Sequence, residues 1–371
     1  MGIDDKSNRT ISTGMKIAII GTVGVPANYG GFETLVENII GENCSDNIEY
    51  IVYCSTKKYS QKLDKYKGAK LKYISLKANG LQSILYDIIS IFKAKKEADV
   101  LLILGVSGCM ILPLIRIASR KKIIVNIDGL EHKRDKWGKW VRRFLKFSES
   151  MAVRHADVII ADNKAIQDYV WTEYGVKSEL IAYGGDHVIC DTRNEDDKIL
   201  SKFNLNSTRY SFALCRIEPE NNVHVILEAY SKTEKRLVFV GNWNNSNYGK
   251  ELLEKYDKYD NMTLASPIYD LLILNVLRSN CEMYIHGHSA GGTNPSLVEA
   301  MFFAKPILAF DCSYNRETTE NEAYYFADAE ELNRMITGST NEVHECGKMM
   351  YNIACRRYKW KTIASQYESL Y

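Results

Sequence analysis

The sequence has no Cys-x-x-Cys pair, no long apolar run and almost no net charge. Its nine cysteines occur singly, which indicates reduced thiols and neither a disulfide framework nor a zinc site. No stretch approaches the length of a membrane-spanning helix. Residues 1–14 are polar and lack the apolar core of a secretion signal, so we expect a flexible tail on a cytoplasmic protein.

Two further absences exclude classes of function. The formal net charge is only +2 and no basic, aromatic RNA-binding signature occurs, which argues against a nucleic-acid-binding protein. The glycine loop at residues 21–31 is too long for Gly-x-Gly-x-x-Gly, and no acidic residue ends a strand about 20 residues later. A nicotinamide enzyme is therefore disfavoured.

Short apolar runs alternate with amphipathic helix patterns along the chain. This alternation predicts an α/β fold with doubly wound parallel sheets, and a length of 371 residues predicts two domains. We place the first domain at residues 15–187 and the second at 188–354, followed by a C-terminal helix at 355–371. Residues 180–183 are predicted as a strand, the charged run 191–198 as the interdomain connection, and residues 351–371 as helical throughout.

A second glycine loop follows the predicted strand that ends near His286. In Gly291-Gly-Thr-Asn-Pro-Ser-Leu-Val-Glu-Ala-Met301, bare backbone amides precede a helix, and such a terminus attracts phosphate. Glu299, one turn inside that helix, could accept hydrogen bonds from sugar hydroxyls. We therefore predict donor contacts from Gly292, Thr293, Asn294 and Glu299. A glycine turn required only for tight packing remains the alternative.

His286 and His288 lie on the turn before this loop, without a carboxylate or cysteine at metal-ligand spacing. We predict a hydrogen-bonding role near the sugar for both residues, with His288 as the donor contact, and no metal site. A buried histidine with its hydrogen bonds satisfied remains open for either residue.

Charged residues also follow two other predicted strands. Asp128 and Glu131 are acidic groups within one turn of each other, as general-base catalysis or stabilisation of an oxocarbenium ion requires. A turn or cap remains possible for Asp128 and a solvated face for Glu131. Arg216 could clamp a diphosphate bidentately, the alternative being a surface ion pair with Glu218 or Glu220.

Residues 133–154 interleave tryptophan and phenylalanine with lysine and arginine. An aromatic, basic, amphipathic helix is typical of a surface that touches anionic lipid headgroups. A helix docked on the sheet with a solvated basic face is an equally good interpretation.

Four motifs in order carry a family resemblance: Gly21-Thr-Val-Gly-Val-Pro-Ala-Asn-Tyr-Gly-Gly-Phe-Glu33, Asn126-Ile-Asp-Gly-Leu-Glu-His-Lys-Arg134, Arg216-Ile-Glu-Pro-Glu-Asn-Asn222 and the loop from Gly291 to Met301. From Met15 onward the chain resembles the family 4 retaining glycosyltransferases of GT-B fold. More narrowly, it resembles bacterial rhamnosyltransferases that build capsule or exopolysaccharide repeat units.

The resemblance implies two facing Rossmann-like domains, with the C-terminal helix returning to the first. It also implies that Gly30 and Gly31 approach the donor phosphates, that Arg216 pairs with the diphosphate and that Glu299 holds the donor ribose. Asp128 stands where related enzymes often keep a histidine. The implied reaction uses a nucleotide-sugar and a lipid-linked saccharide, and it requires no cofactor and no metal.

Two positions depart from the wider family, which usually has a lysine at Asn221 and a glutamate at Gly291. The rhamnosyltransferase group resembles this chain in both, which implies dTDP-L-rhamnose as donor and a protein peripheral to the inner face of a bacterial membrane. Three alternatives remain: a transferase that uses UDP-hexose, a nucleotide-sugar epimerase of the same shape, and an inactive scaffold subunit. Arg216, Glu299 and Asp128 argue against the scaffold.

Overall fold

The computed structural model describes residues 14–27, 30–43, 45, 47–59, 61–127, 129–133, 137–191, 195–206, 208–338 and 343–371. Two separate sheets divide this part of the chain, and the strands of each are mostly apolar runs because parallel strands are buried on both faces. No helix of the described residues combines the length and the apolarity needed to cross a bilayer.

The first sheet has eight strands in the order β3-β4-β2-β1-β5-β6-β7-β8, parallel except for the β3–β4 pair. The strands are β1 (Met15–Ile20), β2 (Ile48–Ser55), β3 (Lys65–Tyr66), β4 (Ala69–Ile74), β5 (Val100–Leu104), β6 (Lys122–Ile127), β7 (Val158–Ala161) and β8 (Glu179–Leu180).

Helices cover both faces of this sheet. They are α1 (Gly31–Gly41), α2 (Gln82–Glu97), α3 (Leu112–Ala118), α4 (Lys139–His155) and α5 (Lys164–Tyr174). Short 3-10 turns occur at Cys109–Ile111, Glu131–Lys133 and Asp186–Val188. Helices α2 to α5 share one apolar cluster, whereas α1 packs in the cluster on the opposite face.

The second sheet has six parallel strands in the order β11-β10-β9-β12-β13-β14. They are β9 (Tyr210–Leu214), β10 (Arg236–Val240), β11 (Met262–Ala265), β12 (Met283–His286), β13 (Ile307–Phe310) and β14 (Tyr324–Phe326). The helices of this half are α6 (Asp196–Lys202), α7 (Val223–Tyr230), α8 (Asn247–Tyr256), α9 (Leu271–Asn280), α10 (Pro295–Met301), α11 (Ser313–Thr318), α12 (Ala329–Thr337) and α13 (Val343–Arg357).

The last helix, α14 (Trp360–Glu368), leaves the second domain and packs on the first. Trp360, Ile363 and Tyr367 lie in the apolar cluster that contains β1 and α1. The amide of Asn126, at the end of β6, donates to the Tyr367 hydroxyl at 2.7 Å. The predicted return of the C-terminal helix to the first domain is confirmed.

Three predicted elements are wrong in extent. Of the strand predicted at 180–183 only Leu180 lies in a strand, β8 (Glu179–Leu180). The helix predicted at 351–371 is two helices separated at Tyr358 and Lys359. The break is fixed because Asp186 accepts a hydrogen bond from the backbone of Trp360 at 2.8 Å. The predicted connection 191–198 ends inside α6, whose first turn carries two acidic residues that favour a helix N-terminus.

Candidate active site

The carboxyl ends of two neighbouring strands in the first sheet contact the second domain. Gly129 follows β6, and a Cβ atom on it would lie 2.9 Å from the Cα atom of Gly291, so no side chain fits there. Asp162 follows β7, and its Oδ2 atom accepts the backbone N–H of Thr293 at 3.1 Å. The Asp162 carbonyl accepts the Thr293 hydroxyl. The second glycine loop therefore rests on the strand ends of the first domain.

The first glycine loop reaches the same boundary. A Cβ atom on Gly31 would lie 3.7 Å from the ring of Pro295, which opens α10. Gly30 has φ of 133°, and a Cβ atom there would strike the carboxylate of Glu33. Glu33 is buried and accepts hydrogen bonds from Thr22 and from the backbone of Val23. Gly30 and Gly31 therefore lie at the domain boundary, and the hydrogen bonds of Glu33 hold their loop in place.

The loop of the second domain has a backbone that suits glycine. Gly291 is buried at φ of 115°, a conformation in which a glutamate would be strained. A Cβ atom on Gly292 would lie about 2 Å from an oxygen of Asp162. The side chain of Asn294 caps α10 by accepting the N–H of Ser296 at 3.0 Å. The backbone conformation of Gly291 and its contact with Gly129 therefore both favour glycine over glutamate at this position.

Arg216 is exposed directly after β9, the strand next to β12. Its guanidinium makes no ion pair with Glu218, Glu220 or any other residue that the structure describes, so the surface ion pair considered from the sequence does not form there. The backbone of this turn is held in place because the Asn221 amide donates to the Arg216 carbonyl at 2.6 Å. A second link comes from Ser289, whose backbone N–H donates to the Glu220 carbonyl at 3.0 Å.

His288 is buried and oriented by Asn221. Its Nδ1 atom lies 2.6 Å from Oδ1 of Asn221. Since the Asn221 amide nitrogen already donates to a carbonyl, its Oδ1 atom faces His288 and accepts a hydrogen bond from Nδ1 of the ring.

His286, at the end of β12, is also buried, and burial lowers its pKa to about 3. Its ring is therefore neutral, and within the described chain its Nε2 atom has no hydrogen-bond partner. The interpretation of His286 as a histidine with its hydrogen bonds satisfied is wrong for these residues.

Glu299 is anchored from two sides. The buried Arg278 donates from Nη2 to Oε2 of Glu299, and Nε2 of His187 lies 3.6 Å from Oε1. Trp360 donates to Nδ1 of His187 at 2.8 Å, which directs the other ring nitrogen towards Glu299. Burial lowers the pKa of His187, against the opposing effect of the Glu299 charge. The ribose contact of Glu299 stays a prediction. The carboxylate that would make this contact already accepts a hydrogen bond from Arg278.

Asp128 lies outside the described residues. Its neighbour Glu131 accepts the indole N–H of Trp137 at 3.0 Å. His132 contacts the buried Glu149 at 2.9 Å, and Glu149 also accepts the hydroxyls of Tyr169 and Tyr174. Burial raises the pKa of Glu149, but these hydrogen bonds outweigh it and hold the pKa below its ordinary value. His132 is therefore held by a buried carboxylate, whereas Glu131 is held by the Trp137 indole.

Three residues of this site, Asp162, Arg278 and Glu149, are not among those predicted from the sequence. Asp162 carries the same signal as Asp128, a polar residue directly after a predicted strand, and could have been found. Arg278 and Glu149 lie inside helices, where sequence alone does not distinguish a buried ion-pair partner from a solvated charge. No group of three His, Cys, Asp or Glu side chains among the described residues is arranged to hold a metal ion.

Two facing α/β domains of parallel strands, with a glycine loop from each at one boundary, define a GT-B-like fold. Residues 195–348 match the family model described as glycosyl transferases group 1, and residues 15–186 match a domain of unknown function (DUF1972). The match to the group 1 glycosyl transferases therefore covers most of the second domain. No curated relative matches the sequence.

Several solved structures share the fold across nearly the whole chain at low identity. Sucrose-phosphate synthase of Thermosynechococcus elongatus has a TM-score of 0.79 at 14% identity, covering 96% of this chain and 98% of its own. HepE of Anabaena in complex with UDP has a TM-score of 0.75 at 14% identity, covering 96% of this chain and 98% of its own. A UDP-forming α,α-trehalose-phosphate synthase of Burkholderia xenovorans has a TM-score of 0.72 at 10% identity, covering 96% of this chain and 100% of its own.

Proposed function

We propose that the protein transfers L-rhamnose from dTDP-rhamnose to a lipid-linked saccharide in bacterial capsule or exopolysaccharide synthesis. The observation that carries the proposal is the position of Arg216. It follows β9, beside the glycine loop that follows β12, and that loop faces Gly129 and Asp162 across the domain boundary. A cation beside backbone amides, at the carboxyl ends of parallel strands, suits a diphosphate.

In the proposed reaction the acceptor hydroxyl attacks the anomeric carbon on the face that the nucleotide leaves. The bond from the acceptor oxygen to that carbon forms as the bond to the phosphate oxygen breaks, so the configuration is retained. Arg216 and the amides of residues 292–294 stabilise the charge on the departing diphosphate. Asp128 or the departing phosphate accepts the acceptor proton, and Glu131 lies beside Asp128 in the sequence.

The choice of donor rests on Asn221 and Gly291. A neutral amide that bonds His288, and a glycine that packs on Gly129, replace the charged pair of the wider family. Fewer charged partners suit a deoxysugar, which has one hydroxyl fewer to bind. A UDP-hexose is the second candidate, because HepE, of similar fold, is found in complex with UDP-glucose.

A donor panel tests the proposal. Purified protein receives radiolabelled dTDP-rhamnose or UDP-hexoses with membrane extract as acceptor, and the lipid fraction is analysed. We expect label from dTDP-rhamnose in a lipid-linked saccharide with the donor's anomeric configuration. Transfer from UDP-hexoses alone removes the donor assignment, and an epimerised product without acceptor identifies an epimerase. Without any turnover, normal polymer synthesis in cells that carry Arg216→Ala would identify a scaffold.

A further inference from the structure

We propose that one face of the first domain, formed by α2, α3 and α4, docks on an anionic lipid bilayer. The inference rests on the proposed function in one respect, because a lipid-linked acceptor lies in such a bilayer. It goes beyond the single segment 133–154 that the sequence indicated. It is carried by the side chains that the structure exposes on three neighbouring helices.

Large apolar side chains are exposed unevenly over the described chain. Of sixteen such residues, nine lie on or at the start of these three elements and the 3-10 turn before α3. Isolated exposed apolar residues are ordinary on soluble proteins, but a contiguous group marks an interaction surface. The concentration of exposed apolar side chains on α2, α3 and α4 therefore indicates an interaction surface.

Helix α2 exposes one full stripe. Leu81 at its start, Leu85, Ile89 and Phe92 are between 38% and 66% exposed. Their spacing places them on one side of the helix, while the opposite side, which includes Tyr86, is buried in the core. The helix is therefore apolar on two sides, of which the sheet covers one.

The stripe continues on the next two helices. Met110, Leu114 and Ile117 are exposed around α3, Ile117 by 85%, and on α4 Trp140 is exposed by 81% and Phe147 by 50%. These elements touch one another.

Contacts between backbone and side chain fix that arrangement. A Cβ atom on Gly108, just before α3, would lie 2.5 Å from the Cβ atom of Asp87 on α2. Arg116 of α3 donates to the carbonyl of His155 at the end of α4 at 2.6 Å. The three stripes therefore belong to one surface.

Charge selects a lipid surface as the occupant. Helix α4 carries five lysines and arginines and a single carboxylate, Glu149, which is buried. Helix α2 carries three lysines near its C-terminus, and of its two carboxylates Asp87 is buried and Glu97 pairs with Lys72. Lys146 of α4 pairs with Glu149 and Glu173, whereas Lys139 and Arg143 are exposed beside Trp140. Cations around apolar and aromatic side chains suit anionic headgroups above acyl chains.

Two cations lie against the exposed rings themselves. The guanidinium of Arg143 lies 5.7 Å from the Trp140 ring, and the ammonium of Lys95 lies 5.9 Å from the Phe92 ring. Lys139, Trp140, Arg142 and Arg143 line a surface groove. An indole with adjacent cations is typical of the headgroup region of a bilayer.

Vesicle co-sedimentation of the full chain tests the inference. Vesicles contain either phosphatidylcholine alone or phosphatidylcholine and phosphatidylglycerol in equal amounts. We expect binding to the anionic vesicles that weakens with salt. The double variant Leu114→Ser, Ile117→Ser should bind at least about tenfold more weakly, and so should Lys139→Glu with Arg143→Glu. The matched control is Tyr269→Ser with Leu271→Ser, exposed residues of the second domain, which should bind as the wild type does.

A second measurement needs no folded variant. Brominated lipids in the anionic vesicles should quench tryptophan fluorescence in the wild type, because Trp140 enters the bilayer. Thermal unfolding verifies that each variant is folded. Transfer of label from dTDP-rhamnose to lipid-linked acceptor, extracted from membranes and dispersed in detergent without vesicles, should be unchanged in all variants. If that transfer is absent in the wild type while vesicle binding holds, the proposed function fails and the docking surface stands.

Several results would overturn the docking surface. Absence of binding to anionic vesicles, equal binding to both vesicle types, or variants that bind like the wild type would each do so. So would self-association of the wild type that the Leu114→Ser, Ile117→Ser variant abolishes without any vesicle binding, because the face would then be a contact between copies of the chain.

Discussion

The backbone N–H of Thr293 donates to Oδ2 of Asp162 at 3.1 Å, and this hydrogen bond joins the glycine loop of one domain to the end of β7 in the other. An amide predicted to bind a donor phosphate therefore already has an anionic partner. A phosphate that binds this amide must compete with the Asp162 carboxylate. If the donor binds as proposed, this bond couples donor binding to the contact between the domains.

This competition predicts the effect of Asp162→Asn. The amide keeps the size of the side chain but loses its charge, and hydrogen bonds to charged acceptors are stronger than those to neutral ones. We expect the Kd of dTDP to fall about three- to tenfold, a difference of about 1 kcal/mol, in isothermal titration. Asp168→Asn, an exposed carboxylate of α5, serves as the control. Weaker binding would show that Asp162 organises the loop and does not compete with donor.

Arg216→Ala should lower kcat/KM by about a hundred- to a thousandfold, the loss typical of a donor that stabilises transition-state charge. Arg216→Lys should recover part of this activity, since it restores the charge without the bidentate geometry. The matched control is Arg209→Ala, because Arg209 lies just before β9 and Arg216 just after it. Activity of Arg216→Ala within threefold of the control, about 0.7 kcal/mol, would contradict the assignment.

Arg278→Leu should destabilise the protein by about 3–5 kcal/mol, because removal of one partner of a buried pair leaves the other charge unpaired. Arg278 is 1% exposed, and its partner Glu299 retains only 15% exposure. Urea unfolding measures the change. Glu299→Gln keeps a hydrogen-bond acceptor for Arg278 and should lower the stability less than Arg278→Leu does. Its activity therefore tests the predicted ribose contact better than the activity of Glu299→Ala. A loss below about 1 kcal/mol in Arg278→Leu would show that the pair contributes little.

Asp87 predicts a pH dependence of stability. Burial raises its pKa to about 7, although the Ser107 hydroxyl donates to it and opposes this shift. The folded state therefore binds more protons than the unfolded state between about pH 4 and pH 7. The contribution of Asp87 to the free energy of unfolding is therefore fully present below about pH 4. It is lost as the pH rises to about 7, and the total loss is up to about 4 kcal/mol.

The change Asp87→Asn should remove this dependence, since its amide does not titrate. Urea unfolding at about pH 5 and about pH 8 should show a larger loss of stability in the wild type than in the variant. Asp168→Asn, an exposed carboxylate, should leave the wild-type dependence in place. Equal losses in wild type and Asp87→Asn would mean that Asp87 is ionised in both states.

The strands of both sheets could be predicted because each is a continuous apolar run between polar turns, as β5 and β9 show. Elements that rest on tertiary contacts could not. The break between α13 and α14 depends on Asp186, far away in the sequence, and β3 consists of two residues that pair only with β4. Helix α6 begins in a charged run whose apolar residues, Ile199 and Leu200, face the core.

At the site, the two glycine loops and Arg216 could be predicted because strand ends and glycines leave local signals. Their relation across the boundary could not, since Gly129 against Gly291 and Asp162 against Thr293 are contacts over more than a hundred residues of chain. The anchoring of Glu299 by Arg278 was hidden for the same reason. The sequence predicts candidate groups for the chemistry, and the fold shows which of them already have partners.

The central claim is that the two glycine loops and Arg216 bind the diphosphate of a nucleotide-sugar, and calorimetric titration of the full chain with dTDP and UDP tests it most directly. The account predicts that dTDP binds more tightly than UDP and that Arg216→Ala weakens binding at least about tenfold while Arg209→Ala does not. Absence of binding by either nucleotide, or equal binding by wild type and Arg216→Ala, would contradict it.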